Sequence, residues 1–317
     1  MITLYELHSS HYCEKIRWAL DYKKLPWKKV DINAFTKKEM LAYPCPQLVP
    51  LIYDDKKNIA LSDSTPILRY LDEHYHIPAI FPEVSAEKNA VYQFMIELDS
   101  CLGVPARRLA YAQIILENPR ILSALFLQDK MNGMLTLPVI RHISSALMGM
   151  MLIKRFRFDL NESLYLYEDV ENYLLTLVAK LKNQQYLINN QFSAADITLA
   201  TLLRPLRIVP FFKDNQQLAP LFQWQKNLFR EHQREEKLLY EELLEEHRIL
   251  NAPVRRKLKA NVNVESFLAK TVDNNNHVAY NDQEPILTWR ILLTPYHYFF
   301  TLKENKLRQR EISNSVR

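Results

Sequence analysis

The sequence predicts a mixed α/β unit followed by an all-helical unit and a C-terminal extension of different character. Three observations carry this. Over about the first 76 residues, short apolar runs and helical spacing alternate in the order β-α-β-α-β-β-α. From 85 to 248 only helical periodicity recurs. Beyond 250 the chain turns polar and irregular, then aromatic and basic. A mixed unit followed by a helical one implies two domains, 1–77 and 85–248, with 251–317 as an extension of unassigned role.

Each element has its own reason. Residues 2–6 (ITLYE) read as a strand, and 11–24 place Ile16, Ala19 and Leu20 at helical spacing. A second strand is expected over 27–32, then a short helix or turn over 35–43. The apolar runs 48–53 and 57–61 flank a polar DDK, which predicts a hairpin. Helical spacing resumes over 64–76 at Ile67, Leu68 and Leu71. Segment 77–84 carries two prolines and reads as a linker. Helices are expected over 86–102, 106–116, 119–131, 137–155, 162–182, 194–206 and 218–247, with prolines marking entries and breaks. Met148, Met150, Met151 and Leu152 are expected in a helix core.

Composition excludes several classes. Only three glycines occur, Gly103, Gly133 and Gly149, so neither a G-x-G-x-x-G fingerprint nor a P-loop exists. Three cysteines, Cys13, Cys45 and Cys101, form no disulfide framework and no four-cysteine zinc site. They suit a reducing, cytoplasmic setting, and the first residues carry no secretory pattern. No metal is expected, since His8 and His11 lack a second cluster at ligand spacing. Residues 1–250 hold 30 basic and 30 acidic side chains; 251–317 hold 11 and 6 and so carry the whole net charge of +5. A nucleic-acid role is therefore not expected, and weak attraction to a membrane surface belongs to the tail. In that tail, 286–302 is aromatic, but Arg290 and Pro295 argue against a span.

The chemistry concentrates at three turns. Ser9-Ser10-His11-Tyr12-Cys13 joins the first strand to the first helix. A helix N-terminus offers unpaired N–H groups and a positive dipole end, which favour a thiolate. A hydroxyl there can donate to a sulfur anion. Ser10 and Cys13 have C-x-x-C spacing with serine first. Ser10 as a plain N-cap is the simpler alternative, and Ser9 is the adjacent rival for either role. At Val49-Pro50, a proline inside an apolar run removes a ladder donor. A cis bond there would turn the Val49 backbone outward to pair with an extended peptide. At Asp63-Ser64, Ser64 is expected to cap the third helix, whose dipole favours a carboxylate, while Asp63 accepts from an ammonium. One α-amino-acid head group satisfies both. A fourth motif is structural: in Phe192-Ser193-Ala194-Ala195-Asp196-Ile197, Ser193 is the N-cap and Asp196 completes a capping box.

Together SSHYCEKIRWAL, LVPLI, LSDSTPILRYLDEHY and FSAADITLA resemble the cytosolic glutathione transferase superfamily over about residues 1–235. The resemblance implies an α/β thioredoxin-like domain, then an all-α helical domain, here with an extra C-terminal extension. It implies glutathione as co-substrate, its γ-glutamyl end at Asp63 and Ser64, its cysteinyl part on Val49 before cis-Pro50, and its glycine end against Gln47. The sulfur falls beside Ser10, where serine-type members keep their hydroxyl; the position of the tyrosine-type hydroxyl falls at Glu6. Expected from this are activation of the thiol for attack on a small electrophile and a homodimer. Two alternatives stand: a non-catalytic interaction module of the same fold, and a glutathione-dependent disulfide reductase using Cys13. Against the reductase, a serine in the nucleophile position cannot exchange disulfides. In this sequence Gln47 stands where the family often has glycine, Asp63 replaces a longer acid or amide, and His11 replaces a common proline.

Overall fold

A computed structural model describes residues 1–32, 37–117, 121, 122, 125, 138–156 and 160–234. Most of the helix expected over 119–131, the part of 218–247 beyond 234, and all of 251–317 lie outside the described residues.

The N-terminal unit follows the predicted order. β1 (Ile2–Glu6) leads into α1 (His11–Tyr22), then β2 (Trp27–Asp31) and a single 3₁₀ turn, Lys38–Met40. β3 (Leu51–Asp54), β4 (Ile59–Ser62) and α2 (Ser64–His74) complete it. The sheet order is β2-β1-β3-β4, with β1 parallel to β2 and β3 antiparallel to both β1 and β4. α1 is the crossover that a parallel β1–β2 pair requires. The hairpin is shorter than the run of apolar residues suggested: β3 starts at Leu51, after Pro50, which has no N–H for a ladder.

The helical unit contains α3 (Ser85–Leu98), a π-turn (Asp99–Gly103) and α4 (Val104–Glu117). α5 (Pro138–Phe156), α6 (Leu160–Leu181), α7 (Ala194–Leu202), α8 (Pro210–Lys213) and α9 (Ala219–Glu231) follow. Pro105 does not separate two helices, because it sits in the first turn of α4, where a missing N–H is tolerated. The helix expected over 194–206 instead ends at Leu202 and tightens into a 3₁₀ turn, Arg204–Ile208, with Pro205 in its first positions. α9 ends at Glu231, two residues before Gln233 takes a left-handed backbone. On α5, Met148 and Leu152 are buried as expected, but Met151 points out and is 51 % exposed.

The two units share one core. Trp18 of α1 meets Phe229 of α9 edge-on at 5.0 Å. The Ala194 N–H donates to the Ile80 carbonyl at 2.7 Å, tying the linker to the first turn of α7. There Ser193 Oγ accepts from the Ala195 N–H, and Asp196 receives the Ser193 N–H at 2.8 Å and the Leu187 N–H at 2.8 Å.

α1 is buried on nearly every side, yet carries charge. Lys15 is fully buried, reaching Asp99 at 3.1 Å and Thr65 at 3.1 Å. Arg17 bridges Glu6 and Glu14, and Glu14 also receives Arg234 at 2.9 Å. Burial alone would raise the Glu14 carboxyl; Arg17, Arg204 and Arg234 outweigh it and hold the group down at about 2. Glu14 therefore ionises more readily folded than unfolded, so it stabilises the fold above about 4.5 and loses that contribution as the pH falls toward 2. Chemical denaturation of Glu14→Gln should show a deficit against wild type at pH 6–7 that shrinks below about pH 4. A deficit independent of pH would place the cost in packing instead.

Candidate functional site

The sheet register brings the three chemistry-bearing turns to one place. Tyr5 pairs with Leu51, and Leu51 pairs with Ser62. The end of β1, the start of β3 and the end of β4 thus lie at the same end of the sheet. Ser10 comes after the end of β1, Val49-Pro50 immediately precedes the start of β3, and Asp63-Ser64 immediately follows the end of β4. The Asp63 N–H donates to the Pro50 carbonyl at 3.0 Å, which fixes two of the turns to each other.

Ser10 is the N-cap of α1, with extended backbone. Its Oγ accepts from the Cys13 N–H at 3.4 Å, a use of one lone pair that leaves the hydroxyl proton for a further acceptor. Ser10 is half-buried, so that acceptor can arrive from outside. Cys13 is fully buried, and its thiol is pushed up to about 12 by burial first and then by Glu6, with Ser10 opposing. A buried thiol of that kind is neither nucleophile nor redox partner at neutral pH, which disfavours the reductase reading.

Beyond the cap, α1 is held to the helical unit. His11 is buried, bonds the Gly103 backbone, and is lowered to about 3 by burial and then by Arg107, so the ring is neutral. Its Nε2 has no hydrogen-bond partner among the described residues. Tyr12 lies directly on Gly103, where a Cβ would stand 2.1 Å from the phenol oxygen. Only glycine admits that approach.

The Val49–Pro50 bond is cis, as expected from the sequence. Pro50 is buried and Val49 half-buried, packed on the small cluster of Ile32, Met40 and Leu51. At the third turn the capping expectation is corrected. Asp63, at φ 75°, takes the N-cap position without a side-chain cap, and Ser64 is the first helical residue. The reason is the Asp63 backbone, which is not helical. Ser64 is fully buried and its Oγ has no hydrogen-bond partner among the described residues. Buried hydroxyls are nearly always hydrogen-bonded, so Ser64 is an exception at a helix start, where backbone N–H groups favour an anion.

Gln47 is placed differently from the expectation. Its amide donates to the Met40 and Cys45 carbonyls at 3.2 and 3.3 Å, so its N–H groups hold the loop together. Its remaining Oε1 accepts only and offers nothing to a carboxylate. The cation there is Lys37, whose Nζ meets the Gln47 carbonyl. Sequence reading missed Lys37 because its left-handed backbone, φ 48°, leaves no mark in a lysine pair. Among the described residues no group of His, Cys, Asp and Glu is arranged to hold a metal ion.

Residues 4–79 match the glutathione S-transferase N-terminal domain, and residues 143–232 match the glutathione S-transferase C-terminal domain. The chain belongs to the cytosolic glutathione transferase superfamily. No curated protein matches the sequence. Among solved structures, the β-etherase LigF from Sphingobium sp. strain SYK-6 is 17 % identical, with a TM-score of 0.55, over 77 % of this chain and 99 % of that one. The theta class glutathione S-transferase from Xanthomonas axonopodis pv. citri, with glutathione bound, is 19 % identical, with a TM-score of 0.51, over 72 % and 92 %. Glutathione transferase Omega 3C from Trametes versicolor is 16 % identical, with a TM-score of 0.50, over 72 % and 84 %. At these identities the likeness is one of fold. Among the described residues no helix of this chain is long and apolar enough to cross a membrane.

Two outcomes follow for this turn. Under a thiol alkylating reagent at pH 8, mass spectrometry should find exposed Cys101 modified first and Cys13 unmodified until the protein is denatured. Gly103→Ala should cost about 1–3 kcal/mol by urea denaturation, and Tyr12→Phe in the same chain should relieve part of it. Equal costs with and without the phenol would remove Tyr12 as the cause.

Proposed function

We propose that this chain is a serine-type glutathione transferase. The reading is carried by the buried, unpartnered Ser64 hydroxyl at the start of α2, at the same sheet end as Ser10. In this reading the γ-glutamyl carboxylate takes the Ser64 hydroxyl and the helix N-terminus, and its ammonium takes Asp63. The cysteinyl backbone pairs with Val49, beside Pro50, in a strand-like arrangement. The glycine carboxylate goes to Lys37 rather than to Gln47, because a carboxylate needs donors.

The sulfur then lies at Ser10. The thiol releases its proton to solvent, and the Ser10 hydroxyl and the α1 dipole hold the resulting anion. A free thiol near 8.5 must fall by about two units to be mostly ionised at neutral pH, roughly 2.7 kcal/mol of preferential stabilisation. A charge-assisted hydrogen bond and a helix N-terminus together are of that size. The thiolate forms the S–C bond to a small electrophile, and the leaving group departs with the displaced electron pair. The helical unit supplies the electrophile's surroundings.

Calorimetry and a pH–rate profile test the two halves separately. Ser64→Ala and Asp63→Ala should each weaken glutathione binding by about 10- to 150-fold, the value of one charge-assisted bond, roughly 1.5–3 kcal/mol. Ser10→Ala should leave glutathione binding nearly intact while the rate with a chromogenic aryl halide falls and its midpoint moves to higher pH. If glutathione binds and Ser10→Ala retains both rate and midpoint, the hydroxyl has been misassigned. If wild type binds no glutathione, the interaction-module alternative stands in its place.

A further inference from the structure

On α5, Ile143, Leu147 and Met151 recur every fourth residue, a single line about 12 Å long on one side of the helix. They are 55, 54 and 51 % exposed, and Ala146 and Met150 beside them are half-buried. The other side, Ser145, Met148 and Leu152, is buried. A surface helix ordinarily turns charged residues to water. Here no charged residue stands between Ile143 and Leu152. Charge gathers toward the two ends of the helix and is of one sign: Arg141 comes before the line, Lys154 and Arg155 after it, and the helix has no Asp or Glu. A contiguous exposed apolar patch of this kind marks a place where something docks.

We propose that this face of α5 docks on an anionic lipid surface. An apolar line in a helix that carries cations and no acid fits acyl chains lying under negative headgroups. Among the described residues no helix is long and apolar enough to cross a membrane, so α5 would lie along the surface and not through it. A second copy is a poorer occupant. Three side chains present far less than the roughly 800 Å² per partner that a stable interface buries, and pairing α5 with itself sets two acid-free, basic helices against each other. The chain's own tail is a poorer occupant for the same electrostatic reason. Residues 251–317 hold 11 basic and 6 acidic side chains, so the tail is repelled by a basic helix and drawn to the same anionic surface. Docking of this kind needs no glutathione and stands apart from the transferase reading.

Flotation of the full chain with vesicles tests this, using phosphatidylcholine alone and phosphatidylcholine enriched in phosphatidylglycerol. Wild type should float with the anionic vesicles about tenfold more than with the neutral ones, and lose most of that at high salt. The combined variant Ile143→Gln, Leu147→Gln, Met151→Gln keeps the charge and the helix propensity but removes the apolar line. It should bind the anionic vesicles about tenfold less well than wild type. Its melting temperature should not fall, because the replaced side chains already face water. Glutathione should change neither result. The proposal is overturned if wild type floats with neither vesicle, or with both alike. It is overturned if the variant floats as well as wild type, which would give the attraction to the tail's charge alone. A variant that melts several degrees lower, or does not fold, would put the line under another part of the chain. A wild-type dimer that the variant dissociates, read by sedimentation, would make a second copy the occupant.

Discussion

Burying a charged helix is the constraint on which the rest of this structure depends. α1 touches the sheet on one side and the helical unit on another, and Glu14, Lys15 and Ile16 are all buried in consecutive positions. A helix enclosed on all sides is ordinarily apolar. Here it is not, so each buried charge must find its partner on another element. Lys15 finds Asp99 on the π-turn and Thr65 on α2; Arg17 finds Glu6 on β1; Glu14 finds Arg234 after α9. A buried pair adds little net stability over an apolar substitute, but removing one member is costly. The ion pairs therefore fix where the helical unit sits more than how tightly it is held, and both ends of α1 inherit that placement.

The order of elements in the first unit was legible because its periodicities switch between 2 and 3.6 over short, well-punctuated runs. The capping box at Ser193 and Asp196 was legible because both partners lie within four residues. What lay beyond reading was long-range. Nothing in CEKIRW distinguishes a solvated lysine from one whose ammonium lies against Asp99, 84 positions away. The π-turn was unreadable for a related reason: Pro105 marks a boundary in sequence, but the fold continues the helix through it.

The candidate site divides the same way. Ser10, Val49-Pro50 and Asp63-Ser64 each carried a local signature, and sheet register then places all three at one end. The errors concern which side of a residue is used. Ser64 looked like a cap because serines usually cap; the left-handed Asp63 backbone takes that position and leaves the hydroxyl unspent. Gln47 looked like a ligand donor, but a loop of prolines and few N–H groups takes its amide for itself. Backbone conformation at one preceding residue decided the first case, and a local shortage of donors decided the second.

Glu6 shows why the hydroxyl must come from the turn rather than the strand. The end of β1 carries a fully buried carboxylate that receives Arg17, and a carboxylate offers acceptors only. Any donor to a sulfur anion must then come from the next residues along, where α1 begins. In the proposed reading Ser10 meets that need without giving up its structural work, because capping uses a lone pair and thiolate binding would use the proton. The two roles set against each other in the sequence, helix cap and thiol activator, are therefore compatible in one side chain. The N–H of Cys13 orients the oxygen, and the orientation is what would aim the proton toward an incoming sulfur. Cys13 then contributes through its backbone, while its thiol stays sealed in the core.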